Sequence, residues 1–261
     1  MRRLARVLLC SALAAASAAA HAAETREVGP WLARVGERVS AYFARAQSIV
    51  CEETVRLEPL GRDLMPNGAH ARTVVYQLHM EWTPGDDGDG GGPTATVVRQ
   101  LLTVDGRPPR PGDRPTCDGQ PESGDPLMML LPGYQGDYLF TWRGEGRERG
   151  RASVVLDYRD ATKHPEAVTA SFRGDCAQFS TSGHMRGRVW LDASTAEVLR
   201  WDEELAVPYA VAIPRTPKGR ELSSASSFTV ERQDSSYSYR PVTFRDPDET
   251  ILLPATLVTL Q

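Results

Sequence analysis

The sequence predicts a mainly β protein led by one amphipathic helix, and three observations predict it. Apolar residues recur at helical spacing after Pro30, alternate with polar ones over most of the later chain, and are punctuated by 22 Gly and 19 Pro. At 261 residues, with 41% hydrophobic and 25% charged side chains, the chain has a globular composition and can bury a sizeable core. The formal net charge of −4 argues against bulk nucleic-acid binding. No apolar run beyond the N-terminus has the length of a membrane span.

Residues 1–22 read as an export signal. Arg2, Arg3 and Arg6 precede an apolar stretch from Val7 to Ala20, and Ala20-His21-Ala22 supplies an A-x-A cleavage site. Cys10 follows Leu9 rather than a small residue, so no lipobox is read there. The leader carries three of the 30 basic residues and none of the 34 acidic ones, so the mature chain is more acidic still. A periplasmic or secreted protein is expected, with 23–261 as one β domain and no transmembrane span after cleavage.

Pro30 suits a first helical turn, where its missing N–H costs nothing. Trp31, Val35, Val39, Tyr42, Phe43 and Ala46 then form one apolar face over about four turns. From Thr73 to Trp82 the period becomes two, and Val74, Tyr76, Leu78, Met80 and Trp82 share a strand face. An acidic glycine-rich loop (84–93) and a partner strand from Thr94 to Val104 complete a hairpin. Asp86, Asp87 and Asp89 lack the spacing and the closing Glu of a calcium loop. Residues 105–124 form a Pro-rich loop, and a short apolar helix is expected from Pro126 to Leu131. Strands are expected near 137–143, 149–159, 166–173, 226–233, 236–245 and 255–261, with an irregular stretch at 206–221.

Export into an oxidising compartment leaves Cys51, Cys117 and Cys176 in the mature chain. Cys117 and Cys176 lie in loop-like stretches and are the expected disulfide. Cys51 follows Ile49 and Val50 and is expected to be buried. No metal-ligand spacing appears, and His70, His79, His164 and His184 stand singly, so neither metal nor cofactor is expected.

Residues 186–204 predict a second hairpin, with Val189 and Leu191 on one face, a turn from Asp192 to Ala196, and a return strand from Val198. Trp190, Leu191, Asp192, Thr195, Leu199 and Arg200 resemble the W-[LI]-D-x-x-T-G-x-x-L-R signature of exported proteins of the LolA/LolB superfamily. Those include lipoprotein carriers and periplasmic stress sensors of the RseB type. Ala196 stands where that signature has Gly, a residue that relieves a positive φ. The resemblance extends to the leading helix, a Cys-Glu-Glu strand, the meander of strands and the late stretch 240–260.

The resemblance implies a single curved antiparallel sheet, a half-open β-barrel with covering helices and an apolar concave side. Such a side can shelter an acyl chain at roughly 0.8 kcal/mol per buried CH₂. Tyr76, Leu78, Met80, Trp82, Phe140, Trp142, Leu156 and Trp190 are the candidate lining residues, with an ordinary closed core as their other reading. A non-catalytic carrier or sensor of lipid or lipopeptide is therefore expected. A protein-protein interaction module of the envelope is the alternative, served by loop 105–124 and the acidic segment Asp246 to Glu249. An enzyme is not expected. Glu52 and Glu53 point to opposite faces of a strand, and G-x-S-x-G, H-E-x-x-H and phosphate-loop motifs are all missing. A monomer is expected.

Overall fold

A computed structural model describes residues 28–46, 48–83, 94–113, 126–161, 167–173, 176–179, 185–213, 227–245 and 248–260. The expected leader lies outside the described residues, as do loop 84–93 and most of loop 105–124. Cys117 and the side chain of Cys176 also lie outside them, and among the described residues Cys51 is a free thiol.

Among the described residues, one long helix, α1 (residues 28–45), precedes fourteen strands. These are β1 (Ser48–Leu57), β2 (Arg72–Thr83), β3 (Thr94–Val104), β4 (Tyr138–Glu148), β5 (Arg151–Asp160), β6 (Ala167–Thr169) and β7 (Ser171–Arg173). They continue with β8 (Cys176–Gln178), β9 (Met185–Asp192), β10 (Val198–Leu205), β11 (Tyr209–Ala212), β12 (Ser227–Val230), β13 (Asp234–Arg245) and β14 (Asp248–Leu260). The short helix expected at Pro126 is a 3-10 turn, Pro126–Leu130. Among the described residues, no helix is long and apolar enough to cross a membrane.

The strands divide among separate sheets rather than joining one. A six-stranded sheet has the order β14-β13-β10-β9-β5-β4, and three-stranded sheets join β1-β2-β3 and β12-β11-β6. Every pairing in the six-stranded sheet is antiparallel, whereas β6 runs parallel to β11. The six-stranded sheet does not close, so β14 and β4 remain edges. The small sheet takes β6 from the strand expected near 166–173, β11 from the stretch 206–221 expected to be irregular, and β12 from the strand expected near 226–233.

The chain divides into two compact units. Of the described residues, those of 28–40, 129–173 and 177–260 form one, and those of 41–128 with Cys176 the other. In the second unit, Val74, Leu78 and Trp82 are buried along one face of β2, and Phe43 packs edge-on against Trp82 at 4.8 Å. Cys51 lies on β1, the edge of this sheet, and is exposed, contrary to the expectation from Ile49 and Val50. Apolar sequence neighbours do not bury a residue on a strand with no neighbour on one side; Val50 itself is 57% exposed.

In the first unit the six-stranded sheet buries one face. Val154, Leu156, Tyr158, Val189, Leu191 and Trp201 share it, with Leu156, Val189, Leu191 and Trp201 fully buried. The helical face expected from spacing is confirmed here, since Val35 and Val39 are buried. Arg34 and Arg38 donate to the carbonyls of Ser194 and Thr195, at 2.7 and 3.0 Å, and hold the first turns of α1 to the β9-β10 turn. Trp31 is only half-buried, with the Arg34 guanidinium over its ring.

That turn is organised by Asp192. Its Oδ1 accepts from the backbone N–H groups of Ser194 and Thr195 at 2.9 and 2.8 Å and from both hydroxyls, while Oδ2 accepts from Arg151 at 2.8 Å. Burial opposes ionisation of this carboxyl. The hydrogen bonds from Ser194 and Thr195 and the charge of Arg151 outweigh burial and hold it well below the usual range. Ala196 keeps the positive φ, at 61°, and is fully buried. An alanine there carries a left-handed strain of about 1 kcal/mol, which the surrounding bonds hold in place.

Candidate functional site

The opposite face of the six-stranded sheet is the candidate site. Side chains directly opposite one another in antiparallel pairs share a face, so the register defines three rows across it. Leu139, Arg159, Arg186, Glu204, Asp234 and Leu260 form the first. Thr141, Asp157, Arg188, Asp202, Ser236 and Val258 form the second, and Val155, Trp190, Arg200, Ser238 and Thr256 the third. The first two rows, with Trp190 and Arg200 of the third, floor a trough of about 790 Å³ to which all six strands contribute.

Trp190 lies among arginines, with the Arg200 guanidinium 4.8 Å and that of Arg188 5.6 Å from its ring centroid. Such contacts are worth about 0.5–1 kcal/mol at exposed sites and fix the ring. The arginines are themselves held by carboxylates. Arg200 binds Asp202 through Nε and Nη2 at 2.8 and 2.6 Å, and Ser236 donates to the same carboxylate at 2.7 Å. Arg188 binds Asp157 at 2.6 Å, and Arg186 binds Glu204 at 2.8 Å. The bond to Asp202, and its charge with that of Glu148, push the Arg200 guanidinium above its ordinary value despite partial burial. Its charge is permanent at any physiological pH.

Tyr158 and Glu203 alternate with these rows and also border the trough, and Tyr158 donates to Glu203 at 2.9 Å. Burial pushes both groups up, the phenol far above its ordinary range and the carboxyl above the usual carboxylate range. Glu203 is raised further by Asp160, while the Tyr158 hydrogen bond works against both effects.

The eight residues expected to line a cavity divide between the two units. Tyr76, Leu78, Met80 and Trp82 lie on one face of β2 in the second unit. Phe140, Trp142 and Leu156 lie on the buried face of the six-stranded sheet, where Trp142 opposes Leu156 and Phe140 opposes Tyr158. Trp190 alone stands in the trough. Weighting residues by size missed the arginines and carboxylates around it. The signal for them was alternation: once Val189 and Leu191 point inward, Arg186, Arg188 and Trp190 must point outward together.

Among the described residues no group of three or more His, Cys, Asp or Glu side chains could hold a metal ion. The site offers fixed guanidinium donors, fixed carboxylate acceptors, one aromatic ring and apolar ends at Leu139 and Leu260. That set suits noncovalent recognition of a ligand with both polar and apolar parts. In comparisons with known proteins, no family model, no curated protein and no solved structure matches the chain.

Proposed function

We propose that this chain is an exported, non-catalytic ligand-binding protein of the cell envelope, and that the trough receives an amphiphilic ligand such as a lipopeptide. The observation that carries this reading is the 790 Å³ trough to which all six strands contribute, chiefly from one face, with two arginine guanidiniums against the Trp190 ring. The LolA/LolB-like hairpin and the open six-stranded sheet support a half-open, carrier-like architecture following a cleaved leader. The charged floor changes the ligand expected of such a carrier. A polar group meets Arg–carboxylate pairs, and only a short apolar part meets Leu139, Val258 or Leu260. A noncatalytic role is supported by the carboxylates of the floor, since Asp157, Asp202 and Glu204 are each bound to an arginine rather than poised as a base.

Native mass spectrometry of protein purified from the periplasm, with organic extraction of what co-purifies, tests the reading. A stoichiometric amphiphile that is lost in Trp190→Ala supports it. An apo mass that stays unchanged when solubilised envelope lipids and lipopeptides are added removes it.

A second reading, an envelope protein-protein interaction module, is favoured by β14. This edge strand has no charged residue from Thr250 to Leu260, and Leu257 and Val258 are 53% and 63% exposed. Edges of this kind accept an added strand. Recovery of one envelope protein by the wild type, but not by a variant with Val258→Lys, would favour it.

A further inference from the structure

The first row of the trough contains a conflict that the fold does not resolve. Arg159 on β5 and Arg186 on β9 are direct cross-strand neighbours on the same face. Like charges so placed destabilise a sheet. The other charges in the row have partners, Arg186 with Glu204 at 2.8 Å and Asp234 with Arg232 at 2.7 Å. Arg159 is exposed and has no ion pair or hydrogen bond from its side chain among the described residues. Arg186 binds Glu204 through Nε, and its terminal nitrogens make no hydrogen bond among the described residues on a side chain 56% exposed. Nearby, Arg143 and Arg188 share the single carboxylate of Asp157, at 3.8 and 2.6 Å. At this end of the trough Arg159 therefore stands without a carboxylate of its own beside a second arginine. Leu139, the neighbour of Arg159 on β4, is 43% exposed beside it.

A local rule broken without compensation inside a cavity marks a place where something else supplies the compensation. Guanidinium forks in parallel match the oxygens of a phosphate, each giving charge-assisted hydrogen bonds. We infer that Arg159 and Arg186 form a phosphate-binding subsite of the trough, and that it takes an anionic amphiphile whose apolar part lies over Leu139. This inference rests on the reading of the trough as a ligand site. The phosphate could belong to a lipid headgroup or be free, and the two sources differ in whether Leu139 contributes.

Isothermal titration calorimetry on the full mature chain tests it with three probes: inorganic phosphate, monomeric dihexanoyl phosphatidylglycerol, and uncharged octyl glucoside. The wild type is expected to bind the phosphatidylglycerol. Arg159→Gln and Arg186→Gln are each expected to weaken it at least tenfold, Arg159→Lys less, and Arg147→Gln not at all. Binding of inorganic phosphate alone, with Leu139→Ala neutral, identifies a free phosphate as the ligand. Tighter binding of the phosphatidylglycerol, weakened by Leu139→Ala, identifies a headgroup. Arg159→Gln is also expected to raise the urea midpoint by removing the repulsion, whereas a merely structural arginine would lower it. Equal affinities in the wild type and both Gln variants overturn the subsite. So does octyl glucoside binding with neither anion binding, although the trough then stands as a ligand site. If none of the three probes binds, the subsite and the trough reading fall together.

Discussion

Tyr158 reaches across Gly187 to donate its hydroxyl hydrogen to Glu203, at 2.9 Å, so one side chain links β5 to β10 over the backbone of β9. Gly187 opposes both partners in the register, and the phenol passes where a side chain at that position would stand. A Cβ there would lie 2.6 Å from the Tyr158 ring and 2.1 Å from the Asp202 carbonyl oxygen. The ring could rotate away, but the carbonyl belongs to the sheet ladder and cannot. Gly187→Ala is therefore expected to destabilise the protein by roughly 3 kcal/mol, at the upper end of overpacking costs. Urea unfolding would check this, and a variant as stable as the wild type would overturn the close packing at Gly187 as the reason for glycine there.

The same pair makes stability depend on pH. Burial, more than any other influence, raises the Glu203 carboxyl above its ordinary 4.5. Between about 4.5 and that raised value the folded state keeps a proton that the unfolded chain has released. Stability from this group is thus present at low pH and lost as pH rises through that window. Glu203→Gln keeps an acceptor for Tyr158 and removes the ionisation. Its urea midpoint is expected to gain on that of the wild type as pH rises from 4 to 7. A constant difference would mean that Glu203 titrates normally.

Asp192 has the opposite sign. Its carboxyl lies below the ordinary 3.8 because the Ser194 and Thr195 bonds and Arg151 outweigh burial. It contributes stability above about 3.8 that is lost as pH falls. Asp192→Ala leaves two backbone N–H groups and Arg151 without their acceptor and should cost about 2–4 kcal/mol at pH 7. The gap between wild type and Asp192→Asn should narrow below about pH 3.8. A gap independent of pH would remove the ionised carboxylate from the account.

Two tryptophans eleven residues apart should separate stability from binding. Trp201 is fully buried, and Trp201→Ala should cost about 3–5 kcal/mol. Trp190 stands half-exposed on the trough floor, and Trp190→Ala should cost about 1 kcal/mol, chiefly through its cation–π contacts. The comparison is a urea midpoint for each, together with ligand retention by native mass spectrometry. Equal losses of stability would place both rings in the core.

Much of the fold was legible because local period reports burial. The helical spacing of Val35, Val39, Tyr42 and Phe43 placed α1, and alternation placed β2 and the β9-β10 hairpin. Even the missing glycine at 196 was informative, since the turn retains the positive φ and Ala196 carries it. The sequence by itself determined a mainly β chain with a leading helix, and which residues on each strand face together. It could not determine how many sheets those strands would form, because strand partners are set by long-range register and not by period. Nor could it identify the open face. Size favoured Phe140, Trp142 and Leu156 as lining, yet closure of the core over that side buried Leus and aromatics and left Trp190 with the arginines. Only the tertiary structure placed Arg159 beside Arg186, 27 residues apart in sequence, because that meeting depends on the pairing of β5 with β9.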